Sequence, residues 1–423
     1  MQVSPASTVE EANSANLSLL QLLNPAVLAD PHGLYSALRE HSPVHWDAYM
    51  HAWVVTGYSE VITVLKDYSA DRTPTLDYLA RLGLSIMKPF AQVMLQQMLF
   101  MDGAMHARLR SICSSAFTPR RVEELHRVID SVSDELIGKV VAYGHMDLIA
   151  DFAHPFPVIV TAKLLGVPVE DHKQLGIWTA DLAEVLGNFQ HHPDRVAEIV
   201  QSLEDLKSYV AARMEEQRRC PTDGLIHSLM TAEVDGHRLS DDEVIANTII
   251  TLIGAHETTT NLIGTGFLTL LREPQSLQQL RTRPEIVVSA VEELLRFESP
   301  IQYTARIAPA DMQLGEKKIA KGSRVVAVLA AANRDPKRFF DPDRLDLLRP
   351  DNRHLAFGWA AHFCFGAPLA RVQGQIAFKK LLSRLSNPAL IDSRWVWRGN
   401  AGLRGLSALK ISFDPDLSAS GAA

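Results

Sequence analysis

The sequence predicts a mainly helical, single-domain protein with small β-sheets. Apolar residues recur at three- and four-residue spacing along most of the chain, which is the helical period. Strand-like pieces are few and short, and the interior has neither a Gly/Ser-rich linker nor an abrupt change in composition. With 423 residues, 47% of them hydrophobic, the chain can bury a large core.

Helices are predicted wherever the helical period holds over several turns. These segments lie near residues 33–41, 58–67, 106–117, 120–143, 159–166, 193–219, 241–272, 285–298 and 367–385. The predicted strands are Val44–Ala48, Trp53–Thr56 and Val325–Ala330. Ser69–Met105 has no steady period but many apolar residues, which is typical either of a mobile pocket wall or of irregular core packing.

The charge balance and the ends of the chain exclude several classes of protein. The formal charge of −7 comes from 49 acidic and 42 basic residues scattered along the chain, without the basic run that favours nucleic-acid binding. The first twenty residues lack the apolar stretch of a signal peptide or anchor, so we expect a cytoplasmic protein that does not bind membranes. Residues 17–414 are predicted to form the domain, with mobile tails at 1–16 and 415–423.

The clearest chemical motif is a loop that leads into a helix beginning near Pro368. It runs from Phe357 through His362 and Cys364 to Gly366. Unpaired N–H groups at a helix N-terminus favour the thiolate form of a cysteine, which is the form that binds iron. A cysteine between two phenylalanines is, taken alone, more often a small buried hydrophobe than a ligand. The three cysteines of the chain are too few and too scattered for a disulfide framework.

A second motif lies in the middle of a long apolar helix. Ser240 and Glu243 predict a capping box at its start, and the helical period runs to Arg272. Within it, Glu257 and Thr258 place an acid beside a hydroxyl where the apolar circumference predicts burial. A buried carboxylate costs free energy unless it is paired or functional, whereas a satisfied polar patch or a simple helix kink is the alternative explanation.

Charged residues form three further patterns, each of which is typical of a protein surface when taken alone. Glu293 and Arg296 lie at i and i+3 of one predicted helix. His106 and Arg110 share a helix face at i and i+4, and Arg306 follows the Glu293 helix. Arginine side chains of this kind can bind the carboxylates of a di-acid cofactor.

Together these motifs resemble those of the cytochrome P450 family. The cysteine loop resembles the haem-binding signature Phe-Gly-x-Gly-x-His-x-Cys-x-Gly, and Gly254–Thr260 is similar to the oxygen-activation motif of the central helix. Glu293-Leu-Leu-Arg296 resembles the family's Glu-x-x-Arg pair, and the motifs follow the family's order from about residue 31 to residue 413. The resemblance implies a fold in which haem b lies between the long central helix and the helix after the cysteine loop.

The resemblance also implies a role for each motif. Cys364 would be the axial ligand of the haem iron, with Phe357 and Gly366 beside its sulfur. Glu257 would relay protons through water, and Thr258 would hydrogen-bond dioxygen. The haem propionates would be bound by His106, Arg110, Arg306 and His362, and the structural pair Glu293 and Arg296 would be joined by Arg349.

Two positions depart from the family pattern. Ala360 stands where the family usually has glycine, so a positive φ at this position would be strained, and we expect a local adjustment with ligation retained. The order Gly254-Ala255 reverses the common Ala-Gly pair, which bears on the width of the groove beside Ala255.

The resemblance implies a haem-thiolate monooxygenase that inserts one atom of dioxygen into a hydrophobic small molecule. A separate ferredoxin and ferredoxin reductase would supply the electrons, with Arg120, Arg121 or Arg371 as docking residues, and the protein is expected to be a monomer. Three alternatives stay open at this point: a peroxide-driven haem hydroxylase, a haem protein that binds gas or carries electrons, and a helical protein whose cysteine binds no cofactor.

The predicted substrate-binding residues are mostly apolar, which favours a polyketide, terpenoid, steroid or fatty acyl substrate. Gln302, Tyr303 and Thr304 are the candidate polar anchors. The apolar candidates are Leu84, Ile86, Met87, Phe90, Ile253, Ala255, Ile301 and Leu403.

Overall fold

The computed structural model describes residues 17–81, 83–117, 119–187, 193–393 and 395–416. The predicted N-terminal tail, 1–16, and residues 417–423 of the predicted C-terminal tail lie outside these ranges. Within the described chain, α-helices predominate and β-strands are short, as the sequence predicts.

The longer helices carry most of the chain. They are His32–His41, Tyr58–Asp67, Gly103–Ala116, Pro119–Gly138, Pro155–Leu165, His172–Gly187, Pro193–Arg219, Asp241–Arg272, Val287–Phe297 and Ala367–Arg384. The shorter helices are Pro25–Ala29, Leu76–Arg81, Lys88–Met94, Leu225–Thr231, Pro274–Thr282 and Leu329–Ala332. No helix in the ranges that the structure covers is both long and apolar enough to cross a lipid bilayer.

The helical period locates most of these helices to within a few residues but misses His172–Gly187. Leu175 and Leu182 of that helix are buried, whereas Ile177 is 56% exposed, so its apolar residues do not form one stripe. The predicted helix at 120–143 is too long, because the helix ends at Gly138 and a separate short turn follows. Two short helices also interrupt the segment from Ser69 to Met105, which has no steady period in sequence.

Four strands form the main sheet. Their order is Val44–Asp47, Ala52–Val55, Arg324–Ala327 and Thr304–Ile307, with a parallel pairing only between the two middle strands. The predicted strand Val325–Ala330 is therefore too long, because the chain turns into the helix Leu329–Ala332. The smaller sheets join His145–Asp147 with Lys410–Asp414 and Ser386–Leu390, Met312–Leu314 with Lys317–Ile319, and Val396–Trp397 with Leu406–Ala408.

The helix Asp241–Arg272, called the central helix below, passes through the largest hydrophobic cluster. Its N-terminus has the predicted capping box, because Ser240 accepts from the N–H of Glu243 and Glu243 accepts from the N–H of Ser240. It packs against Pro155–Leu165, His172–Gly187 and Ala367–Arg384. Most residues of its second half are buried, so a polar group there lies inside the protein.

Candidate active site

The cysteine loop is closed by backbone hydrogen bonds and lies directly before the helix Ala367–Arg384. The N–H of Cys364 donates to the carbonyl of Phe357 at 2.8 Å, and Arg110 Nη2 donates to the carbonyl of Phe363 at 2.7 Å. The N–H groups of Gly366 and Ala367 point at the Cys364 sulfur. These contacts hold the thiol at the first turn of the helix, where the helix dipole favours an anion.

Cys364 lies deep among protein atoms, yet its side chain is accessible. Burial raises the pKa of the Cys364 thiol above its ordinary value, although the N–H groups of Gly366 and Ala367 and the charge of Arg110 act in the opposite direction. The protein alone therefore does not ionise this thiol. A bound metal ion would do so, because coordination deprotonates a thiol outright.

Phe357 packs beside the loop and is covered by a charged cluster. The guanidinium of Arg371 lies 4.6 Å from the centroid of the Phe357 ring and donates two 2.8 Å hydrogen bonds to Glu292. His354 Nε2 lies 3.2 Å from the same carboxylate. Burial opposes ionisation of Glu292, but the hydrogen bonds from His354 and Arg371 lower its pKa to about 2. Arg371 is thus fixed behind the loop and not free on the surface.

Ala360 has a left-handed backbone, with φ of 56°. Alanine thus adopts the left-handed conformation in this loop, and the expected local adjustment does not remove the positive φ. We expect Ala360→Gly to raise the free energy of unfolding by about 1 kcal/mol, because an L-residue pays roughly this amount in the left-handed region. Urea unfolding would measure it. Ala361→Gly, at a neighbour outside the positive-φ region, is the control, and an equal gain in both variants would contradict this explanation.

A cluster of cationic side chains lies next to the loop. The rings of His106 and His362 lie in contact, with centroids 4.2 Å apart and planes tilted by 36°, and His362 Nε2 lies 3.4 Å from Asp102 Oδ1. Burial lowers the pKa of both imidazoles, with further lowering from Arg110 for His106 and from His106 and Arg306 for His362, whose pKa is about 4. An anion bound here would offset the repulsion between the protonated imidazoles and the neighbouring arginines.

Arg306 and Arg72 extend the cationic cluster, and Arg72 is a residue that the sequence reasoning missed. Arg306 is 4% exposed, and its Nε is buried without a hydrogen-bond partner among the residues described. Arg72 lies 4.6 Å from the Phe100 ring and donates to the carbonyl of Ala70. Burial and the charge of Arg306 lower the pKa of Arg72 to about 9. No local pattern marks Arg72, which lies in the aperiodic segment.

Glu293, Arg296 and Arg349 meet in one buried cluster. Arg296 binds Glu293 through two 2.8 Å hydrogen bonds, and both side chains are fully buried. Arg349 Nε lies 3.2 Å from each Glu293 oxygen, and Asn352 donates to Glu293 Oε2 at 3.1 Å. Arg296 also donates to the carbonyl of Asn333 at 2.9 Å. The cluster fastens the helix Val287–Phe297 to the segment that precedes the cysteine loop.

Thr258 lies where the buried central helix borders open space. Its Oγ1 donates to the carbonyl of Gly254 at 2.5 Å, one turn earlier. Gly254 is exposed although Ile253 before it and His256 two positions after it are buried, and a Cβ added there would meet no atom within 4 Å. Ala255 is partly buried, and the helix runs through the reversed Gly-Ala pair without a break. The Thr258 hydroxyl is therefore close to space that another group can enter.

Glu257 is paired with Arg398, which sequence reasoning also missed. Glu257 Oε2 accepts a hydrogen bond from Arg398 Nη1, and the Glu257 side chain is 4% exposed. Burial raises the pKa of Glu257, and the charge of Arg398 and its hydrogen bond oppose the rise. Arg398 lies 141 positions further along the chain, so no spacing rule would have connected it to Glu257.

The structure places the predicted substrate-binding residues in different surroundings. Phe90 and Ile253 share a narrow apolar crevice of about 20 Å³, which is also lined by Leu182, Leu186 and Ile249. Ile301 and Leu403 pair in an isolated β-bridge. Met87 and Thr304 are partly buried, whereas Leu84 and Ile86, at 40% and 47% exposure, lie on the outer surface.

Gln302 and Tyr303 face the N-terminal part of the core. Gln302 is 2% exposed, and its side chain accepts from the Tyr35 hydroxyl at 2.9 Å and donates to the carbonyl of Ser299 at 2.6 Å. Tyr303 packs against the hydrophobic cluster that contains Leu19 and Tyr35. Their role as polar anchors stays a prediction, and in this structure both side chains already make contacts inside the protein.

The residues present fit a haem. One accessible thiol stands at a helix N-terminus, which suits an iron whose other ligands come from a macrocycle. The arginines and histidines beside the loop, with Asp102 as their close carboxylate, suit the two propionates of such a ring. The unpartnered Nε of Arg306 is a donor available to one of them.

The fold and the residues around the cysteine loop suit a haem protein, and comparison with known proteins identifies the family. The Cytochrome P450 family model matches residues 53–388. The Biotin biosynthesis cytochrome P450 of Bacillus subtilis (strain 168) is 35% identical over 390 residues, covering 92% of this chain and 97% of the relative. Cytochrome P450 monooxygenase PikC of Streptomyces venezuelae is 34% identical over 421 residues, covering 95% and 96%.

A solved structure of P450BioI, in complex with an acyl carrier protein ligated with hexadec-9Z-enoic acid, matches with a TM-score of 0.87 and 35% identity. The match covers 92% of this chain and 99% of that one. The chain belongs to the cytochrome P450 family. It is an oxidoreductase of the monooxygenase class that uses haem and acts on a small molecule with electrons from a redox partner.

Proposed function

We propose that the chain, from residue 17 to residue 414, is a monooxygenase in which Cys364 ligates the iron of haem b and a long apolar chain is the substrate. The position of Cys364 supports its role as the iron ligand, because an accessible thiol faces two backbone N–H groups at a helix N-terminus. When bound, the haem supplies the dioxygen chemistry, and the protein supplies ligation, orientation and protons. The absorption band of the reduced, carbon-monoxide-bound protein tests this class.

His106, Arg110, Arg306 and His362 are proposed to bind the haem propionates, with Arg72 as a further cation. The two imidazoles and the buried Arg306 lie near Asp102, and burial destabilises the protonated form of both imidazoles. Two carboxylates would compensate the charge of Arg306 and favour protonation of the imidazoles. Phe357, fixed under Arg371, is proposed to cover the sulfur side of the site.

Glu257 and Thr258 are proposed to deliver protons on the opposite side. Thr258→Ala is expected to keep the haem-thiolate spectrum but to release reduced oxygen as hydrogen peroxide, with product per electron pair falling about tenfold or more, because positioned proton donors contribute at least this much. Thr251→Ala is the matched control, since Thr251 Oγ1 makes the same bond to the carbonyl four residues earlier in the same helix. The yields of peroxide and of product per electron pair would be measured. An unchanged product yield per electron pair in Thr258→Ala would refute the assignment.

The substrate is proposed to be a fatty acyl compound or another extended hydrocarbon chain. The crevice between Phe90, Leu182 and Ile253 is narrow and apolar, which suits a single methylene chain better than a broad ring system. The structurally similar P450BioI was solved with a protein-bound hexadecenoic acid. Substrate-induced spin-state change, titrated with fatty acids of graded length and with a macrolide, tests the proposal. A response to the macrolide alone would contradict it.

A ferredoxin and its reductase are proposed as the electron donors. The cysteine loop presents Phe363, which is 36% exposed, next to Arg110, whereas Arg371 is held by Glu292 behind the loop. This surface suits an acidic electron-transfer protein that docks close to the iron ligand. Reduction rates with a ferredoxin that fall as salt rises would support the assignment.

A further inference from the structure

Glu257 is a buried acid with one bonded and one unbonded oxygen. Its Oε2 accepts from Arg398, whereas Oε1 is buried without a hydrogen-bond partner in the described part of the chain. A buried carboxylate with a single ion-pair partner depends strongly on that partner, because removing it leaves a charge without compensation. Arg398 therefore decides both where the carboxylate points and how readily it takes up a proton.

Arg398 reaches this carboxylate from a fixed position on the hairpin formed by Val396–Trp397 and Leu406–Ala408. Its backbone N–H donates to the carbonyl of Gly405 at 2.9 Å, and its Nε donates to the carbonyl of Leu406 at 3.2 Å. The side chain of Arg398 is 26% exposed, against 4% for Glu257. The ion pair thus has one buried end and one end that the solvent reaches.

Two imidazoles lie near the ion pair, and neither adds a variable charge. His256, on the central helix, binds Thr179 through Nδ1 at 2.9 Å, and burial lowers its pKa to about 3. His154, at the start of Pro155–Leu165, packs against Gly176 one turn away from Thr179, and burial together with the charge of Arg398 lowers its pKa. Both imidazoles are neutral at neutral pH, so Glu257 and Arg398 set the charge of this region.

We propose that Arg398 is a positioning residue that holds Glu257 as a carboxylate, with Oε1 free to take up protons that pass on to Thr258. The inference rests on the proposed proton relay. In each cycle the carboxylate accepts a proton from the solvent and releases it towards the Thr258 hydroxyl through water. Glu257 returns to its starting form, and Arg398 keeps its charge throughout.

The ion pair determines the direction in which the pKa of Glu257 is expected to move when Arg398 is replaced. Burial raises the pKa of Glu257 and Arg398 opposes the rise, so replacing Arg398 by a neutral residue removes the opposition. Loss of an opposite charge at this distance typically moves a carboxyl pKa by about 1 to 3 pH units. In Arg398→Gln the yield of product per electron pair is therefore expected to fall on the acid side at a pH about 1 to 3 units higher than in the wild type. Arg398→Lys is expected to keep the wild-type dependence on pH.

The test compares Arg398→Gln, Arg398→Lys and wild type in the haem-loaded protein. Infrared difference spectra would follow the protonated carboxyl band, identified by its loss in Glu257→Gln, and product and peroxide yields would be measured over the same pH range. Arg238→Gln, which breaks an exposed pair with Glu233, is the control and should leave both readouts unchanged. If Arg398→Gln does not fold, Arg398→Met takes its place.

A carboxyl titration that stays at the wild-type position in Arg398→Gln would overturn the inference. So would an equal shift in Arg398→Lys, because the charge would then not be the cause. The proposed proton relay has its own test, because an unchanged product yield per electron pair in Thr258→Ala would refute it. The haem-thiolate assignment also has its own test, because it would be refuted if the carbon-monoxide band were absent. These three failures are therefore distinguishable.

Discussion

Replacing Cys364 with alanine is expected to abolish the thiolate-specific absorption band of the reduced, carbon-monoxide-bound protein completely. The loop would lose its only sulfur, and alanine offers iron no ligand atom. The cationic cluster that we assign to the propionates is unaffected, so some haem is expected to remain bound without the thiolate spectrum. Absorption spectra and haem content per chain would be measured on the purified variant.

The other two cysteines provide matched controls. Cys113 is buried in the apolar core, and burial raises the pKa of its thiol to about 12, so it does not supply a thiolate. Cys220 is exposed and lies at the end of the helix Pro193–Arg219. Cys113→Ala and Cys220→Ala should therefore keep the band. A band that survives in Cys364→Ala, or disappears in either control, would refute the ligand assignment.

Replacing Glu293 with glutamine is expected to lower the free energy of unfolding by about 3–5 kcal/mol. The substitution leaves the buried guanidinium of Arg296 and the nearly buried one of Arg349 without their shared carboxylate, and an uncompensated buried charge costs this much. Since folded domains have about 5–15 kcal/mol of stability, a large share would be lost. Urea unfolding followed by circular dichroism would measure the change.

The neighbouring exposed pair supplies the comparison for Glu293. Glu285 lies 3.2 Å from Arg283 just before the same helix, and both side chains are more than half exposed. Glu285→Gln should therefore change stability by less than about 0.5 kcal/mol. Arg349→Lys keeps the charge but loses the planar contact with both Glu293 oxygens. We expect its loss of stability to lie between those of Glu285→Gln and Glu293→Gln. Equal unfolding midpoints for Glu293→Gln and Glu285→Gln would show that the buried cluster does not stabilise the fold.

Short motifs predicted the local conformation of this region because they depend on residues that are close in sequence. The capping box of Ser240 and Glu243 marks the start of the central helix, and Ala360 has the positive φ that glycine adopts most readily. The pairing of Glu293 with Arg296 follows from i,i+3 spacing on one helix face. Each of these features depends on neighbours in sequence.

The exposure and contacts of the candidate substrate-binding residues do not follow from the sequence, since side-chain direction depends on packing. Gln302 and Thr304 are two residues apart at the edge of the main sheet, yet the Gln302 side chain is bound to Tyr35 and Ser299, whereas Thr304 accepts from Arg306. Leu84 and Ile86 are apolar in sequence but exposed in the structure. Apolar character alone does not separate a pocket wall from a surface residue.

The sequence by itself determined the helical fold class, the cysteine loop, the central helix and the acid–alcohol pair within it. Helical period, helix caps and turn residues depend on a few neighbouring positions, so they can be identified from the sequence alone. The tertiary structure decided that Arg398 binds Glu257 and that Arg72 lies close to Arg306. Both contacts join segments more than a hundred residues apart, and such pairs form only when the core between them packs.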